Sequence, residues 1–348
     1  MGALVTGIGY IGARLVERLL DSGQQVVGID NLFSTDPAVI RRLAQRQGFL
    51  FIQGNVADEV AVRRAFESGA PVDTVYHLAA QASAHPTAAP VRYTEETNLV
   101  APRIILEQAA AAGTSALIFG SSLQLYGRRP AGAVDEDAPF GPILDIAHLS
   151  KLYVEKLMEM FACTRGLRCV AARLGLVYGV SPVMKTDPRF MTAPNKFCRQ
   201  AALGEPLRVD VSALYPTAMI HVDDAARGLM ALSRWPHSGF TAVNLIGETV
   251  SVARVAEMVA ELGARRGLQV QIVLPDPRPE VPHCSFHSAA SAVGFTPRFS
   301  LQEGLGPVLE HFMRTSPHPD PLPRGEGEIP SSSWRGKGAR GLGPEFRP

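Results

Sequence analysis

The chain has 348 residues, of which 46% are hydrophobic and 19% are charged, and this size suits one large α/β domain or a cofactor domain with a smaller lobe. The formal net charge of +1 provides no field that would attract nucleic acid or an acidic membrane, so we expect neither as a partner. No stretch approaches the roughly 20 apolar residues of a membrane span. The N-terminus lacks the charged and apolar regions of a signal peptide, so we expect a cytoplasmic protein.

The cysteines give no sign of a disulfide framework or a metal site. None of the four has a CxxC partner or a histidine pair at metal-ligand spacing. We therefore expect reduced thiols, which agrees with the cytoplasm, and no bound metal. The residues concerned are Cys163, Cys169, Cys198 and Cys284.

Short apolar runs alternate with longer amphipathic segments along the first half of the chain, which is the pattern of a parallel sheet wrapped by helices. We predict an α/β fold with a Rossmann-like doubly wound parallel sheet, whose ligands bind at the carboxyl ends of the strands. The predicted strands are residues 3–6, 25–30, 50–53, 74–77, 116–120 and 169–173. The predicted helices are residues 11–22, 37–47, 60–67, 91–112 and 146–165.

The first predicted strand leads into the sequence GIGYIG, residues 7–12, which opens the first predicted helix. In such a loop the glycines permit a tight turn, a close approach to a pyrophosphate and close packing of helix on strand, and the pyrophosphate lies on the amide end of the helix. Asp30 ends the second strand 18 residues after Gly12. There a carboxylate accepts hydrogen bonds from both adenosine ribose hydroxyls and repels a 2′-phosphate, which favours NAD over NADP. The cofactor residues predicted from this pattern are Gly7, Gly9, Tyr10, Ile11, Gly12 and Asp30.

The regular alternation weakens after Tyr178. Residues 179–216 are rich in proline and are predicted as loop, whereas residues 223–234 and 250–265 are predicted helices. We predict an NAD-binding Rossmann domain over residues 1–178, with its sheet completed by later segments, and mainly a smaller C-terminal substrate lobe over residues 179–314. Residues 315–348 contain seven Pro and six Gly, which bury too little apolar surface to order a chain, so they are predicted to be a disordered tail.

Several short motifs follow the glycine loop in order along the chain. They include HLAA at residues 77–80, SS at 121–122, SK at 150–151 and IHVDD at 220–224. With this order and spacing the chain resembles the extended short-chain dehydrogenase/reductase family, the NAD-dependent nucleotide-sugar epimerases and dehydratases, from its first residues to about Phe312. The resemblance implies NAD as the cofactor and further contacts to it from Asn31, Asn55, Val56, Leu78, Ala79, Ala80, Asn98 and Lys151.

In that family the active site combines a Ser or Thr with a Tyr and a Lys that lie four residues apart on one helix face. By resemblance Ser122 is the serine, and Lys151 is the lysine that holds the nicotinamide ribose. The residue four positions before Lys151 is Ala147, and an alanine cannot transfer a proton, so the usual mechanism cannot run unchanged. His148, roughly 100° further round the helix, is the first candidate to replace the missing catalytic group. Further candidates are Tyr126, Tyr153 and Asp145.

Other departures from the family concern both ligands. The glycine loop is one residue shorter than the usual GxxGxxG, and Asn55 stands where an Asp normally meets adenine, although we expect cofactor binding to survive both changes. Leu176 replaces an Asn that often contacts the sugar nucleotide, and Thr217 replaces an Arg that often holds phosphate. Residues 184–196 offer substitute polar groups, which are alternatively ordinary solvated loop residues: Lys185, Arg189, Asn195 and Lys196.

These features leave three functions open. The first is an NAD-dependent epimerase, dehydratase or related oxidoreductase acting on a sugar or nucleotide-sugar-like alcohol. The second, favoured by Ala147 with Leu176 and Thr217, is a catalytically silent protein that senses NAD or serves in an assembly. The third, favoured by the missing phosphate contacts, is an NAD-linked dehydrogenase of a non-nucleotide carbonyl. Family members are often dimers in which helices of the two subunits pair, including the lysine-bearing helix, so the resemblance also implies a homodimer.

Overall fold

A seven-stranded parallel sheet forms the centre of the computed structural model, which describes residues 2–85, 87–276 and 279–315. From one edge to the other its strands are β3 (Phe49–Gln53), β2 (Gln25–Asp30), β1 (Gly2–Thr6), β4 (Val72–His77), β5 (Ala116–Ser122), β7 (Cys169–Leu174) and β11 (Phe240–Leu245). The strand order changes direction between β1 and β4, which confirms the predicted Rossmann-like doubly wound sheet. The predicted tail, residues 315–348, lies outside the described residues apart from Thr315.

Helices cover this sheet, and smaller sheets accompany it. The helices are α1 (Tyr10–Asp21), α2 (Pro37–Leu43), α3 (Glu59–Glu67), α4 (Val91–Glu95), α5 (Ala101–Ala111), α6 (Ile146–Arg165), α7 (Ala193–Ala202), α8 (Val222–Leu232), α9 (Val252–Ala264) and α10 (Leu301–Thr315). The remaining strands are β6 (Gly132–Val134), β8 (Leu176–Tyr178), β9 (Leu207–Arg208), β10 (Pro216–His221), β12 (Thr249–Ser251), β13 (Ile272–Val273) and β14 (Cys284–Phe286). Within the described part of the chain, every helix is too short or too polar to cross a bilayer.

The carboxyl ends of the central strands lie side by side at one edge of the sheet. Thr6 is in register with His77, and Ser122 is in register with Leu174. Asp30 ends β2 at the same edge. The strands β1 and β7 are buried along their whole length, as parallel strands covered by helices on both faces must be. The fold thereby collects its polar strand ends in one place, where ligands bind in this architecture.

The helix predicted over residues 91–112 is interrupted in the structure. The chain forms α4, then a π-helical turn over Glu96–Val100, and then α5. Pro102 stands in the first turn of α5 and has no N–H to donate to the Asn98 carbonyl four residues earlier. Because that hydrogen bond cannot form, the α-helical pattern breaks here.

The region predicted as a proline-rich loop, residues 179–216, contains the helix α7. The prediction was wrong because Pro194 occupies the first turn of α7, where a helix has no use for the missing N–H. Helix α10, which contains Pro307, was also not predicted. These helices pack with α9 on an apolar core that includes Phe197, Val259 and Leu309.

Asp224 on α8 ties the C-terminal segment to the rest of the fold. Its side chain is fully buried and accepts the backbone N–H groups of Arg298 and Phe299 at 2.8 and 2.9 Å. The same carboxylate pairs with Arg227. A buried charge that loses its partner is strongly destabilising, so these contacts depend on one another.

Asp224→Ala should therefore lower the free energy of unfolding by about 3–5 kcal/mol. The matched control is Asp21→Ala, because the Asp21 side chain is 57% exposed and pairs with Arg46 at 2.7 Å, so its loss should cost about 1 kcal/mol or less. Urea unfolding followed by circular dichroism measures both variants. Equal losses in the two variants would contradict the role given to Asp224.

Candidate cofactor and active site

A cavity of about 1330 Å³ opens at the carboxyl edge of the central sheet. This volume exceeds the roughly 300–1,000 Å³ typical of small-ligand pockets, so the cavity has room for more than one small ligand. Of the predicted site residues, Asn55 and Asn98 are not among the described residues that line it. The predicted residues that do line it are Gly7, Gly9, Tyr10, Ile11, Gly12, Asp30, Asn31, Val56, Leu78, Ala79, Ala80, Ser122, His148 and Lys151.

The three glycines of the loop have different structural roles. Gly7 has a φ of 80°, and a Cβ on it would lie 2.6 Å from the Ala79 nitrogen. A Cβ on Gly12 would lie 1.9 Å from the Gly7 carbonyl oxygen, so α1 packs directly on the loop. Gly9 has an ordinary φ of −74°, and a Cβ there would meet nothing closer than the Thr35 hydroxyl at 4.0 Å. The open space at Gly9, at the amide end of α1, fits the diphosphate of a dinucleotide.

Asp30 is 8% exposed, and its carboxylate already accepts three hydrogen bonds. Oδ2 accepts from the Ile8 nitrogen at 2.7 Å and from the Thr35 hydroxyl at 3.2 Å, and Oδ1 accepts from the Leu32 nitrogen at 2.6 Å. Burial raises the pKa of Asp30, and these hydrogen bonds oppose the rise. Each carboxylate oxygen has about two acceptor positions, so one position remains on Oδ1. The arrangement leaves room for one ribose hydroxyl rather than both.

The asparagines predicted to contact the cofactor are engaged with the protein itself. The Asn98 side chain bonds to both backbone groups of Gln81, accepting from its nitrogen and donating to its oxygen, each at 2.8 Å. The Asn55 side chain accepts from a backbone N–H two residues further on at 3.0 Å. Asn31 lines the cavity. Asn98 therefore holds the loop that follows β4, residues 78–81, rather than reaching the cavity.

Lys151 and Ser122 face the cavity from α6 and from the end of β5. The Lys151 ammonium donates to the Gly120 carbonyl at 2.7 Å and lies 4.6 Å from the centroid of the Phe119 ring. Burial lowers the pKa of Lys151 to about 8, and the carboxylate of Glu155 partly opposes the shift. The Ser122 oxygen accepts from a backbone N–H two residues on at 3.1 Å, which leaves its proton for a ligand.

A buried ion pair that was not predicted from the sequence lies beside Lys151. Glu155, one helical turn further along α6, accepts from the Arg173 guanidinium at 2.8 and 3.1 Å and from the Ser121 hydroxyl at 2.6 Å. Both charged side chains are buried. The pair joins the lysine-bearing helix to β5 and β7, whose ends form the cavity. The sequence signal for it is an arginine within the apolar strand CVAARL, with a glutamate four residues after Lys151.

His148 lines the cavity next to the buried Ala147. Its Nδ1 lies 2.8 Å from both carboxylate oxygens of Asp145, which also caps α6 by accepting the His148 backbone N–H at 3.0 Å. Burial raises the pKa of Asp145, but the hydrogen bonds from His148 outweigh it and leave the pKa lowered. An ionised Asp145 assigns the proton to Nδ1 and leaves Nε2 as an acceptor. His148 and Asp145 thus form a dyad suited to proton transfer.

The two tyrosine candidates lie elsewhere. The Tyr126 hydroxyl donates to Asn244 at 2.8 Å and accepts from Arg173 at 2.7 Å. Tyr153 is 43% exposed on the outer face of α6. Neither belongs to the described residues around the cavity. His148 is therefore the candidate that the structure places where a substrate can bind.

The polar residues of the segment 184–196 divide into two groups. Arg189 pairs with Asp187 at 2.6 Å, and Asn195 donates to the hydroxyl of the glycine-loop tyrosine at 3.0 Å. These two side chains hold the protein together at the edge of the cavity. Lys185 and Lys196 line the cavity with their ammonium groups available to ligands.

A Rossmann-like sheet, a glycine loop at the amide end of the first helix and a carboxylate at the end of the second strand define a dinucleotide-binding protein. The model of the NAD dependent epimerase/dehydratase family matches residues 3–247 of the chain. The chain belongs to the NAD dependent epimerase/dehydratase family. The cofactor of this family is NAD, and its members are enzymes of the epimerase and dehydratase class.

The chain is similar to several UDP-glucose 4-epimerases. It is 34% identical to that of Neisseria meningitidis over 159 residues, which are 44% of this chain and 46%, about half, of the relative. It is 31% identical to that of Erwinia amylovora over 265 residues, which are 70% of this chain and 77% of the relative. The solved structure of the Thermus thermophilus enzyme in complex with NAD superposes with a TM-score of 0.75 at 27% identity, covering 91% of this chain and 100% of the other.

Substitutions in the glycine loop should separate folding from binding. Gly9→Ala has room for its methyl group and should cost about 1 kcal/mol or less as a change at a helix N-cap, but the methyl group fills the diphosphate space, so NAD affinity should fall about tenfold or more. Gly12→Ala drives its methyl group into a backbone carbonyl and should lower the free energy of unfolding by about 3 kcal/mol. Thermal unfolding and calorimetric NAD titration measure both. If Gly9→Ala binds NAD as the wild type does, the diphosphate lies elsewhere.

Proposed function

We propose that the chain is an NAD-dependent oxidoreductase of the epimerase or dehydratase type that acts on a sugar or nucleotide-sugar-like alcohol. The observation that carries the proposal is the position of Ser122, His148 and Lys151 around one cavity that begins at the glycine loop. The UDP-glucose 4-epimerases among its relatives support a UDP-sugar as the substrate. The four free cysteines support the cytoplasm as its compartment.

The proposal gives a role to four residues of the site. NAD, when bound, would accept the hydride. Lys151, fixed by the Gly120 carbonyl, holds the nicotinamide ribose, and the Ser122 hydroxyl donates to the reacting oxygen of the substrate. The Nε2 of His148 accepts the hydroxyl proton as the carbon–hydrogen bond breaks, and Asp145 stabilises the resulting imidazolium. The dyad thereby replaces the proton transfer that Ala147 cannot perform.

Basic side chains of α7 are available to a nucleotide diphosphate. Leu176 and Thr217 line the cavity and supply no cation. Lys196 and Arg199, both on α7, also line it and can bind phosphate. A sugar nucleotide held by these cations should bind with a KM that rises with salt, because the contact is partly screened.

Removal of the His148 imidazole tests the catalytic proposal. His148→Gln should lower kcat for the interconversion of UDP-glucose and UDP-galactose by about 10²–10⁴-fold, the contribution of a positioned acid or base, with NAD affinity unchanged. Asp145→Asn should lower kcat by a smaller factor, because it removes only the orientation of the ring. The matched control is His237→Gln, an exposed histidine on the connection after α8. A kcat of His148→Gln equal to that of the wild type would remove His148 from the mechanism.

Ala147 favours a second candidate function, a catalytically silent protein that senses NAD. Under that function the wild type binds NAD but turns over no member of a broad sugar-nucleotide panel, and Ala147→Tyr creates activity. The two results together would contradict the enzyme proposal for the native chain. A dehydrogenase of a non-nucleotide carbonyl would instead show turnover while nucleoside diphosphates fail to raise the thermal unfolding temperature.

We also propose that the chain forms a homodimer through α6. Ile146, Leu149, Tyr153 and Met160 recur at helical spacing on the outer face of α6, and each is more than a third exposed. An apolar stripe of this kind on an otherwise polar surface is typical of a protein interface. The family resemblance implies a dimer that pairs the lysine-bearing helices, and this supports the choice of surface.

Leu149→Asp places a charge at the centre of this stripe and should convert a dimer into a monomer. The control is Val60→Asp, because Val60 is 63% exposed on α3 and lies outside the stripe. Light scattering after size exclusion at about micromolar concentration, where interfaces of standard size remain associated, gives the mass of each variant. A wild-type mass of one chain would contradict the dimer.

A further inference from the structure

Residues 179–190, which we call the strap, line the cofactor cavity with their second half, residues 185–190. At one end the Ser181 hydroxyl donates to the Tyr10 carbonyl at 2.5 Å, which fixes the strap to the glycine loop. At the other end the Arg189 guanidinium donates to the Thr87 carbonyl at 2.6 Å, and the Ser83 hydroxyl donates to the Arg189 carbonyl at 2.5 Å. The strap therefore joins the glycine loop to Ser83 and Thr87 at the edge of the cavity.

Lys185 lies between these two anchors, and its side chain lines the cavity. Its ammonium is 5.9 Å from the centroid of the Tyr10 ring, and Tyr10 is the first residue of α1. Among the described residues it has no hydrogen-bond acceptor and no carboxylate partner. The nearest acid on the strap, Asp187, is paired with Arg189. Partial burial lowers the pKa of Lys185 to about 8, because the charged form loses hydration.

We infer that Lys185 binds the diphosphate of NAD, as a cation that the strap brings to the amide end of α1. The inference rests on the proposed function only in taking NAD as the ligand. The glycine loop contributes amides and open space but no charged side chain in residues 7–12, and a helix end alone carries about half a charge. The ammonium beside Tyr10 supplies the remaining positive charge. A diphosphate in turn supplies the counter-ion that the protein does not give Lys185.

The position of the ammonium favours the cofactor over the substrate as the owner of this diphosphate. Tyr10 belongs to the glycine loop, and the strap is anchored on that residue. Ser122 and His148, which face the substrate in the proposed function, are carried by β5 and α6. Lys185 is thereby assigned to NAD, and Lys196 and Arg199 of α7 remain the candidates for the sugar nucleotide.

NAD affinity should depend on pH if Lys185 binds the diphosphate. Below about pH 8 Lys185 is already charged, so NAD affinity is independent of its titration. Above that pH the free protein loses the charge while a bound diphosphate retains it, so binding takes up a proton and affinity falls as pH rises. Lys151 titrates in the same range, so the difference between wild type and variant is the quantity to measure. The other titratable or charged groups on the surrounding elements are Tyr10, Arg14, whose guanidinium donates to the Val180 carbonyl of the strap, His85, Asp187 and Arg189.

The test is calorimetric titration of Lys185→Met, Lys185→Arg and the wild type with NAD, ADP and UDP at pH 7.0. Lys185→Met should weaken NAD and ADP about 10–100-fold, as expected for a lost charge-assisted contact, and should leave UDP unchanged. Lys185→Arg should keep most of the affinity because it keeps the charge. The control Lys156→Met removes an exposed lysine of α6 that pairs with Glu159 and should change no affinity. Thermal unfolding of each variant confirms that it is folded.

Proton uptake completes the test. In buffers of different ionisation enthalpy at pH 8.5, the wild type should take up more protons on NAD binding than Lys185→Met does. If Lys185→Met is folded and binds NAD within about twofold of the wild type, the inference is overturned while the proposed function stands. Loss of UDP affinity with NAD unchanged would assign Lys185 to the substrate and equally overturn it. A wild type that binds no NAD would overturn the proposed function as well.

Discussion

The contact between Gly12 and the Gly7 carbonyl is the constraint on which the rest of the site depends. Because a side-chain atom on Gly12 would lie 1.9 Å from that oxygen, α1 can begin directly over the end of β1 only if glycine stands there. The amide end of α1 then faces the cavity and not the sheet. Gly7 in turn approaches Ala79, so the loop after β4 is pressed against the same place. The cofactor site is thus formed by backbone, and the side chains that act on ligands are arranged around it.

The positively charged side chains at the cavity are the second important feature of the site. Lys151 and Lys185 both reach the cavity from outside the glycine loop, and burial lowers the pKa of each to about 8. The buried carboxylate of Glu155 is committed to Arg173, so it stabilises the frame of α6 rather than neutralising either lysine directly. Binding of an anionic ligand in such a cavity is electrostatically favourable. The negative charge of the dinucleotide thus compensates for cations that would be unfavourable in an apolar cavity.

The central sheet and the glycine loop could be predicted because they depend on local patterns, such as apolar strands and the spacing from Gly12 to Asp30. Local patterns gave wrong predictions around proline, because Pro194 begins a helix whereas Pro102 interrupts one. Motifs located Ser122, Lys151 and the alanine, Ala147, at the position expected for the catalytic tyrosine. They did not show which side chains are already occupied: the engagement of Asp30 with backbone amides and of Asn98 with a loop depends on rotamers and on contacts distant in sequence. The position of the Lys185 ammonium beside α1 could not be predicted for the same reason, because it depends on contacts that are distant in sequence.

A dinucleotide without a 2′-phosphate should rest on the amide end of α1 with its ribose at Asp30. Parallel calorimetric titrations of the wild type with NAD and NADP measure this at pH 7.0 and about 0.15 M salt, where exposed charges are screened over roughly 8 Å. We expect saturable one-site binding of NAD, with NADP weaker by about tenfold or more, because its extra phosphate meets a buried carboxylate. Equal affinity for the two dinucleotides, or no binding of either, would rule out this position of the cofactor.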